Sequence, residues 1–273
     1  NFKKCLITGI AGSGGSYLAE HILSKDKKIK IYGLYRSNKF KKILEKKFKN
    51  RIIFYNVDLN NFLKTKKIIN KIKPDLIFNL ASYADVRKSF DYPHEFILNN
   101  HNSTLNLLES IRKCNLKSLF IHCSTSEVYG RVSKKEIPIT ENQKMRPVSP
   151  YAVSKSFQDL LSQLYHQVYG LNIIITRMFT YNNPRRLNLF QSAFASQISK
   201  IEKGKQKILS HGNLNSIRSF LDLNDGMEAY WATAKKGKVG EIYNIGGNRS
   251  FKVGDFLKKM IQLSKVKIKC KIN

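Results

Sequence analysis

Tyr151 and Lys155 stand four positions apart in Tyr-Ala-Val-Ser-Lys, just after Pro147 and Pro150. On a helix this spacing puts the phenol and the ammonium on one face. A tyrosine titrates at about 10 in isolation, and a neighbouring ammonium favours its phenolate. Beside a hydride acceptor, a phenolate can remove a hydroxyl proton as hydride leaves the same carbon. Upstream lies Cys123-Ser124-Thr125-Ser126-Glu127. Thr125 offers a hydroxyl that can bond the alcohol being oxidised, and Ser126 lies next to it. Glu127 offers a carboxylate able to take a proton alpha to a new carbonyl and then protonate a leaving hydroxyl, which is loss of water.

Such groups act only if rigid elements hold them together. Strand-like runs read at 4–8, 29–34, 52–57, 76–80, 119–123 and 173–177. Helical periodicity reads at 14–24, 62–72, 93–114 and 150–169. This alternation specifies an α/β protein with a Rossmann-type, doubly wound parallel sheet. After Arg177 the pattern breaks into shorter pieces: a polar segment 180–188, a helix near 190–203, a strand-like piece at 207–209 and a loop at 212–219. A helix near 224–235 and a strand at 241–245 follow, and the chain stops at Asn273 in mid-pattern. We expect a sheet domain over 1–178 and a smaller C-terminal substrate-binding lobe over 179–273, with some returning elements joining the sheet domain.

The first strand ends in Thr8-Gly9-Ile10-Ala11-Gly12-Ser13-Gly14-Gly15 and runs into a helix. Gly9, Gly12 and Gly15 give a turn, a close approach for a pyrophosphate and close helix–strand packing. The helix N-terminus then faces the phosphates. That is a dinucleotide site, with Ser13 in its turn. The second strand ends Tyr35-Arg36-Ser37, where NAD binders usually carry an acidic residue for the ribose. Arg36 and Ser37 suit a 2′-phosphate instead, so the expected cofactor is NADP. Asp58-Leu59 after the third strand and Leu80-Ala81 after the fourth complete this site: a carboxylate for the adenine amine, and small residues where backbone approaches the cofactor.

The chain of 273 residues is 42% hydrophobic and 25% charged, which fits a folded core rather than disorder. The longest apolar stretches, such as 171–175, are strand-sized, so no membrane segment and no signal peptide are expected. Cys5, Cys114, Cys123 and Cys270 form no CxxC pair and read as buried free thiols of a cytoplasmic protein. The six histidines form no ligand cluster, so no metal is expected. The net charge of +30 raises nucleic-acid binding as a different class of function. Its lysines are scattered rather than gathered in one tract, which reads as compositional bias and gives no expected nucleic-acid partner.

Taken together, Gly9/Gly12/Gly15, Thr125-Ser126-Glu127 and Tyr151/Lys155 resemble the extended short-chain dehydrogenase/reductase family. Within it the chain is similar to the GDP-mannose 4,6-dehydratases. Thr8–Glu20, Asn79-Leu80-Ala81, Thr104–Glu109 and Ser149-Pro150-Tyr151 carry that likeness, as do Pro184-Arg185-Arg186, Gly212-Asn213-Leu214 and Arg218. The resemblance implies that Tyr151, helped by Lys155 and Thr125, oxidises C4 of a hexose, and that Glu127 takes the C5 proton and expels the C6 hydroxyl. It places Ser126, Thr180, Asn182, Arg185, Arg186 and Arg218 at the nucleotide-sugar site, with a GDP-sugar favoured. An epimerase, a 4-keto reductase and a GDP-heptose dehydratase are the neighbouring readings. Thr180-Tyr181 departs from the Asn-His common in related dehydratases. Ser37-Asn38-Lys39-Phe40 departs from the arginine- and serine-rich loop that helps tetramers form, so a homodimer and a homotetramer are both expected assemblies.

Overall fold

A computed structural model describes residues 2–37 and 41–272. Its residues group into two compact units, one of 1–178 with 227–245, the other of 179–226 with 246–273.

In the first unit, strands and helices alternate. They are β1 (Lys4–Thr8), α1 (Ser13–Lys25), β2 (Lys30–Tyr35), α2 (Lys41–Phe48), β3 (Ile52–Asn56) and α3 (Phe62–Ile72). Then come β4 (Leu76–Asn79), α4 (Val86–Asp91), α5 (Pro93–Lys113), β5 (Leu119–Thr125), α6 (Pro150–Tyr169) and β6 (Ile173–Met178). A short 3-10 turn, Ser126–Tyr129, follows β5. The next three elements are α7 (Phe190–Glu202), β7 (Ile208–His211) and β8 (Ile217–Ser219). Most of the following helix, α8 (Leu223–Lys236), and then β9 (Ile242–Ile245) return to the first unit.

Seven strands pair in the order β3-β2-β1-β4-β5-β6-β9, each pair parallel. Strands β1, β4 and β6 are buried almost throughout, as expected where helices cover both faces of a parallel sheet. Leu6, Ile77, Phe120 and Ile173 from the sheet pack with Ile68, Ile69, Leu107, Leu108 and Ile111 from α3 and α5. The order reverses between β1 and β4, and a doubly wound sheet opens its ligand crevice at the C-terminal ends of such strands.

The second unit has its own small core. Phe194, Ile198 and Leu209 pack there with Val253 and Leu257 from α9 (Val253–Gln262). Short β10 (Ser250–Lys252) pairs with β8, and β11 (Lys269–Ile272) pairs with β7. The expected loop at 212–219 is therefore corrected: its last three residues, Ile217–Ser219, form an edge strand. Among the described residues no helix is long and apolar enough to cross a membrane. The reading of all four cysteines as buried is also corrected. Cys5 and Cys123 are buried, whereas Cys114 is half-buried and Cys270, on β11, is exposed.

Candidate functional site

The turn after β1 is shaped by two glycines. Gly9 has φ +66, and a Cβ there would stand 3.0 Å from the Ala81 Cα. A Cβ on Gly15 would stand 2.5 Å from the Gly9 carbonyl oxygen, so only glycine lets α1 start this close to β1. Gly12 donates its N–H to Gly9 O at 2.9 Å and caps α1 without a side-chain cap. Ser13 is the first residue of that helix.

Beside this turn, the end of β4 is fixed by a buried polar chain. Thr8 Oγ1 accepts from the Ala81 N–H and donates to Asn79 Oδ1, both at 3.0 Å. Asn79 Nδ2 donates to Thr104 Oγ1 at 3.0 Å, and Gln158 Nε2 donates to the same oxygen at 2.6 Å. The backbone at Leu80-Ala81 thus lies against Gly9 and is held from beneath by α5 and α6. A Cβ would fill this cradle, which fits a dinucleotide laid over bare backbone.

Arg36, exposed at the end of β2, donates to Tyr83 Oη at 2.7 Å and to Asn99 Oδ1 at 3.1 Å. Ser37 follows it, half-buried, while Asn38, Lys39 and Phe40 of the proposed assembly loop lie outside the described residues. Asp58 Oδ1 accepts the Asn60 N–H at 3.0 Å, an Asx turn that fixes this exposed carboxylate after β3. Leu59 is buried under it.

The reactive cluster stands on β5 and α6. Ser149 caps α6 by accepting the Ala152 N–H at 3.1 Å, Pro150 occupies its first turn, and Gly170 ends it in the left-handed region. Tyr151 and Lys155 therefore sit in the first two turns, both buried. Lys155 Nζ donates to the Cys123 carbonyl at 2.7 Å and pins the helix to the end of β5. Burial pulls the Lys155 ammonium down to about 8, against the opposing pull of Cys123 and Asp159. Burial pushes the Cys123 thiol up to about 12, so it is an inert neighbour rather than a nucleophile. Thr125 ends β5 half-buried, and its Oγ1 accepts the Glu127 N–H at 3.3 Å. Ser126 and Glu127 follow, half-buried, in the 3-10 turn that packs against α6. Thr125, Ser126, Glu127, Tyr151 and Lys155 are thus gathered where β5 meets α6.

Sequence reasoning missed the groups that hold this junction. Arg177 Nε and Asp159 Oδ2 form a buried ion pair at 2.9 Å between β6 and α6. Arg177 also donates to Tyr129 Oη at 2.9 Å, and Tyr129 donates to Asn244 Oδ1 at 2.7 Å. Asn100 Nδ2 donates to Ser154 Oγ at 2.8 Å, and Ser154 donates to the Tyr151 carbonyl at 2.7 Å. The available signal was Asp159, one helical turn beyond Lys155 and on its face.

The remaining five expected substrate residues belong to the second unit. Thr180 O accepts the Leu221 N–H at 3.0 Å, and Asn182 N–H donates to Leu221 O at 3.0 Å, so both are fixed by backbone pairing. Asn182 Oδ1 is buried without a hydrogen-bond partner. Arg185 is exposed, while Arg186 Nε donates to Asn188 Oδ1 at 3.2 Å. Arg218 lies exposed on β8, its Nη1 donating to the Ile217 carbonyl at 3.2 Å. Among the described residues no three histidines, cysteines or acids gather to hold a metal.

With this geometry in place, comparison with known proteins decides the family. The family model described as GDP-mannose 4,6 dehydratase matches residues 6–273. The chain belongs to the GDP-mannose 4,6-dehydratase family of enzymes. Its members are hydro-lyases on the short-chain dehydrogenase/reductase fold. A GDP-mannose 4,6-dehydratase of Sordaria araneosa is 30% identical over 97% of this chain and 49% of its own length. A dTDP-glucose 4,6-dehydratase of Haemophilus influenzae is 32% identical over 94% of this chain and 78% of its own. Among solved structures, the UDP-glucuronic acid 4-epimerase of Bacillus cereus in complex with UDP-glucuronic acid and NAD superimposes with a TM-score of 0.84. It is 28% identical and covers 98% of this chain and 85% of its own.

Proposed function

We propose that this chain is a cytoplasmic GDP-mannose 4,6-dehydratase that recycles a bound NADP and works as a homo-oligomer in deoxysugar biosynthesis. The observation that carries the reading is the junction of β5 and α6. There the Glu127 turn packs on the helix of Tyr151 and Lys155, and Lys155 bonds the Cys123 carbonyl. The glycine turn, Ser13, Asp58, Leu59 and the Leu80-Ala81 backbone would hold the dinucleotide, with Arg36 and Ser37 at its 2′-phosphate. When bound, NADP would supply the hydride acceptor for the oxidation and the hydride donor for the reduction.

Tyr151 removes the proton of the C4 hydroxyl, with Thr125 bonding the same oxygen and the Lys155 ammonium favouring the phenolate. The new C4 ketone makes the C5 proton acidic. Glu127 takes that proton and delivers one to the departing C6 hydroxyl, which leaves as water. Hydride returned to C6 would need a proton at C5, and the one Tyr151 took from the C4 hydroxyl balances it; the product would be a 4-keto-6-deoxy sugar with no net oxidation. Ser126, Thr180, Asn182, Arg185, Arg186 and Arg218 would hold the nucleotide sugar, arginine forks suiting its diphosphate.

GDP-mannose is favoured by the family match and by the Sordaria relative's name. The Haemophilus and Bacillus relatives carry other nucleotides, and Thr180-Tyr181 departs from the usual pair, so other nucleotide sugars form the comparison set. The test is product mass after mixing protein, GDP-mannose and a catalytic amount of NADP. The expected product is lighter by one water, without accumulation of NADPH. A product of unchanged mass and altered stereochemistry would make the chain an epimerase. No turnover of GDP-mannose, with turnover of a GDP-heptose or a dTDP- or UDP-sugar, would move the substrate assignment.

A further inference from the structure

The choice of NADP over NAD rests on Arg36, and the structure gives that side chain a partner, Tyr83. Tyr83 lies in the loop between β4 and α4. Its backbone is clamped by Asn100, whose Oδ1 accepts the Tyr83 N–H at 2.7 Å and whose Nδ2 donates to the Tyr83 carbonyl at 3.0 Å. The ring packs on Phe96, centroids 5.4 Å apart. Tyr83 is therefore a fixed post. Arg36 Nη2 donates to its Oη at 2.7 Å, and the guanidinium carbon stands 4.9 Å from the ring centroid. Arg36 Nη1 bonds Asn99 Oδ1, which also accepts from Asn60 Nδ2 at 3.2 Å.

Every partner of Arg36 among the described residues is neutral, and no carboxylate pairs with it. A guanidinium held by neutral groups keeps its full charge and most of its N–H donors for an incoming anion. Tyr83 Oη accepts from Arg36 and keeps its own proton to donate. A phosphate oxygen beside Arg36 would meet both. We propose that Tyr83 is a specificity-determining residue that fixes Arg36 and donates its phenol proton to the 2′-phosphate of the cofactor's adenosine. This deepens the NADP reading and depends on it.

The test is direct binding, not turnover. Dissociation constants for NADP and NAD are measured by calorimetry for the wild type, Tyr83→Phe, Arg36→Ala and the double variant. Tyr83→Phe keeps the ring and its packing and removes only the hydroxyl. We expect it to weaken NADP about tenfold and to change NAD less than about twofold, the scale of one charge-assisted hydrogen bond. The double variant should lose little more than Arg36→Ala alone, because the two residues act as one unit. Equal weakening of both cofactors would make Tyr83 a scaffold residue, and an unchanged NADP constant would remove it from the site. If the wild type does not distinguish the cofactors, the NADP reading falls and this inference with it. If Arg36→Ala abolishes a real preference that Tyr83→Phe retains, only this inference falls.

Discussion

At the scale of single residues, Glu127 is the group that, in the proposed mechanism, would separate dehydration from other chemistry on this fold. Oxidation at C4 is assigned there to Tyr151 and Lys155, whereas elimination across C5 and C6 needs a second base. Glu127→Gln keeps size and hydrogen bonding and removes the base. We expect turnover to fall by about a hundredfold or more, the usual contribution of a positioned acid–base group. NADP binding should be unchanged. Full turnover by this variant would end the elimination role of Glu127. Lys155 makes a different prediction, in pH. Its folded value of about 8 lies below the ordinary 10.5, because burial penalises the ammonium. The folded state thus loses this proton before the unfolded state does. The penalty is complete below pH 8 and is relieved as pH rises from 8 towards 10.5. Denaturant midpoints should show the wild type gaining roughly 1 kcal/mol between pH 8 and 9 relative to Lys155→Met. Parallel pH curves for the two proteins would contradict the burial of a charged Lys155.

At the scale of elements, what was legible in the sequence followed from burial. The helix 62–72 was read to the residue, and β1 likewise, because their apolar period is uninterrupted. α2 was missed: among its described side chains only Leu44 and Phe48 are buried, too few for a period. β10 and β11 were missed because short exposed edge strands carry no alternation. The glycine turn and Tyr151/Lys155 were visible as motifs. The junction behind them was not, since Asp159, Arg177, Tyr129 and Asn244 are far apart in sequence and ordinary in type. Its buried ion pair joins β6 to α6 directly behind Lys155. Breaking one partner of such a pair typically costs about 3–5 kcal/mol, because the other charge is left buried. Arg177→Met should therefore lower the urea-unfolding free energy by about that amount. Asp159→Leu combined with Arg177→Met should recover part of it. A double variant as damaged as the sum of the singles would mean that the pair does not act as a unit.

At the scale of the whole molecule, a +30 chain meets its own copies with repulsion, so an assembly needs a face without charge. α6 supplies one. Its only Lys and Asp, Lys155 and Asp159, are buried. Val153, Phe157, Leu160, Leu164 and Val168 are exposed at helical spacing along one side of it. Leu98 is exposed on α5, against which α6 packs. A lone exposed leucine is ordinary, but a stripe four turns long is a candidate interaction surface. The occupant that fits the proposed homo-oligomer is the same stripe on a second copy, since a two-fold axis matches an apolar face to itself. Leu160→Glu with Leu164→Glu places carboxylates on both sides of that axis. Each buried leucine contributes about 1.5–3 kcal/mol, so two per subunit are enough to dissolve the pairing. Sedimentation equilibrium should give at least a dimer for the wild type and a monomer for the double variant. The monomer should keep its NADP affinity, because Gly9, Arg36 and Ala81 follow the ends of β1, β2 and β4, away from the exposed stripe of α6. A wild type that sediments as a monomer would leave the stripe to some other partner and remove the homo-oligomer from the proposed function.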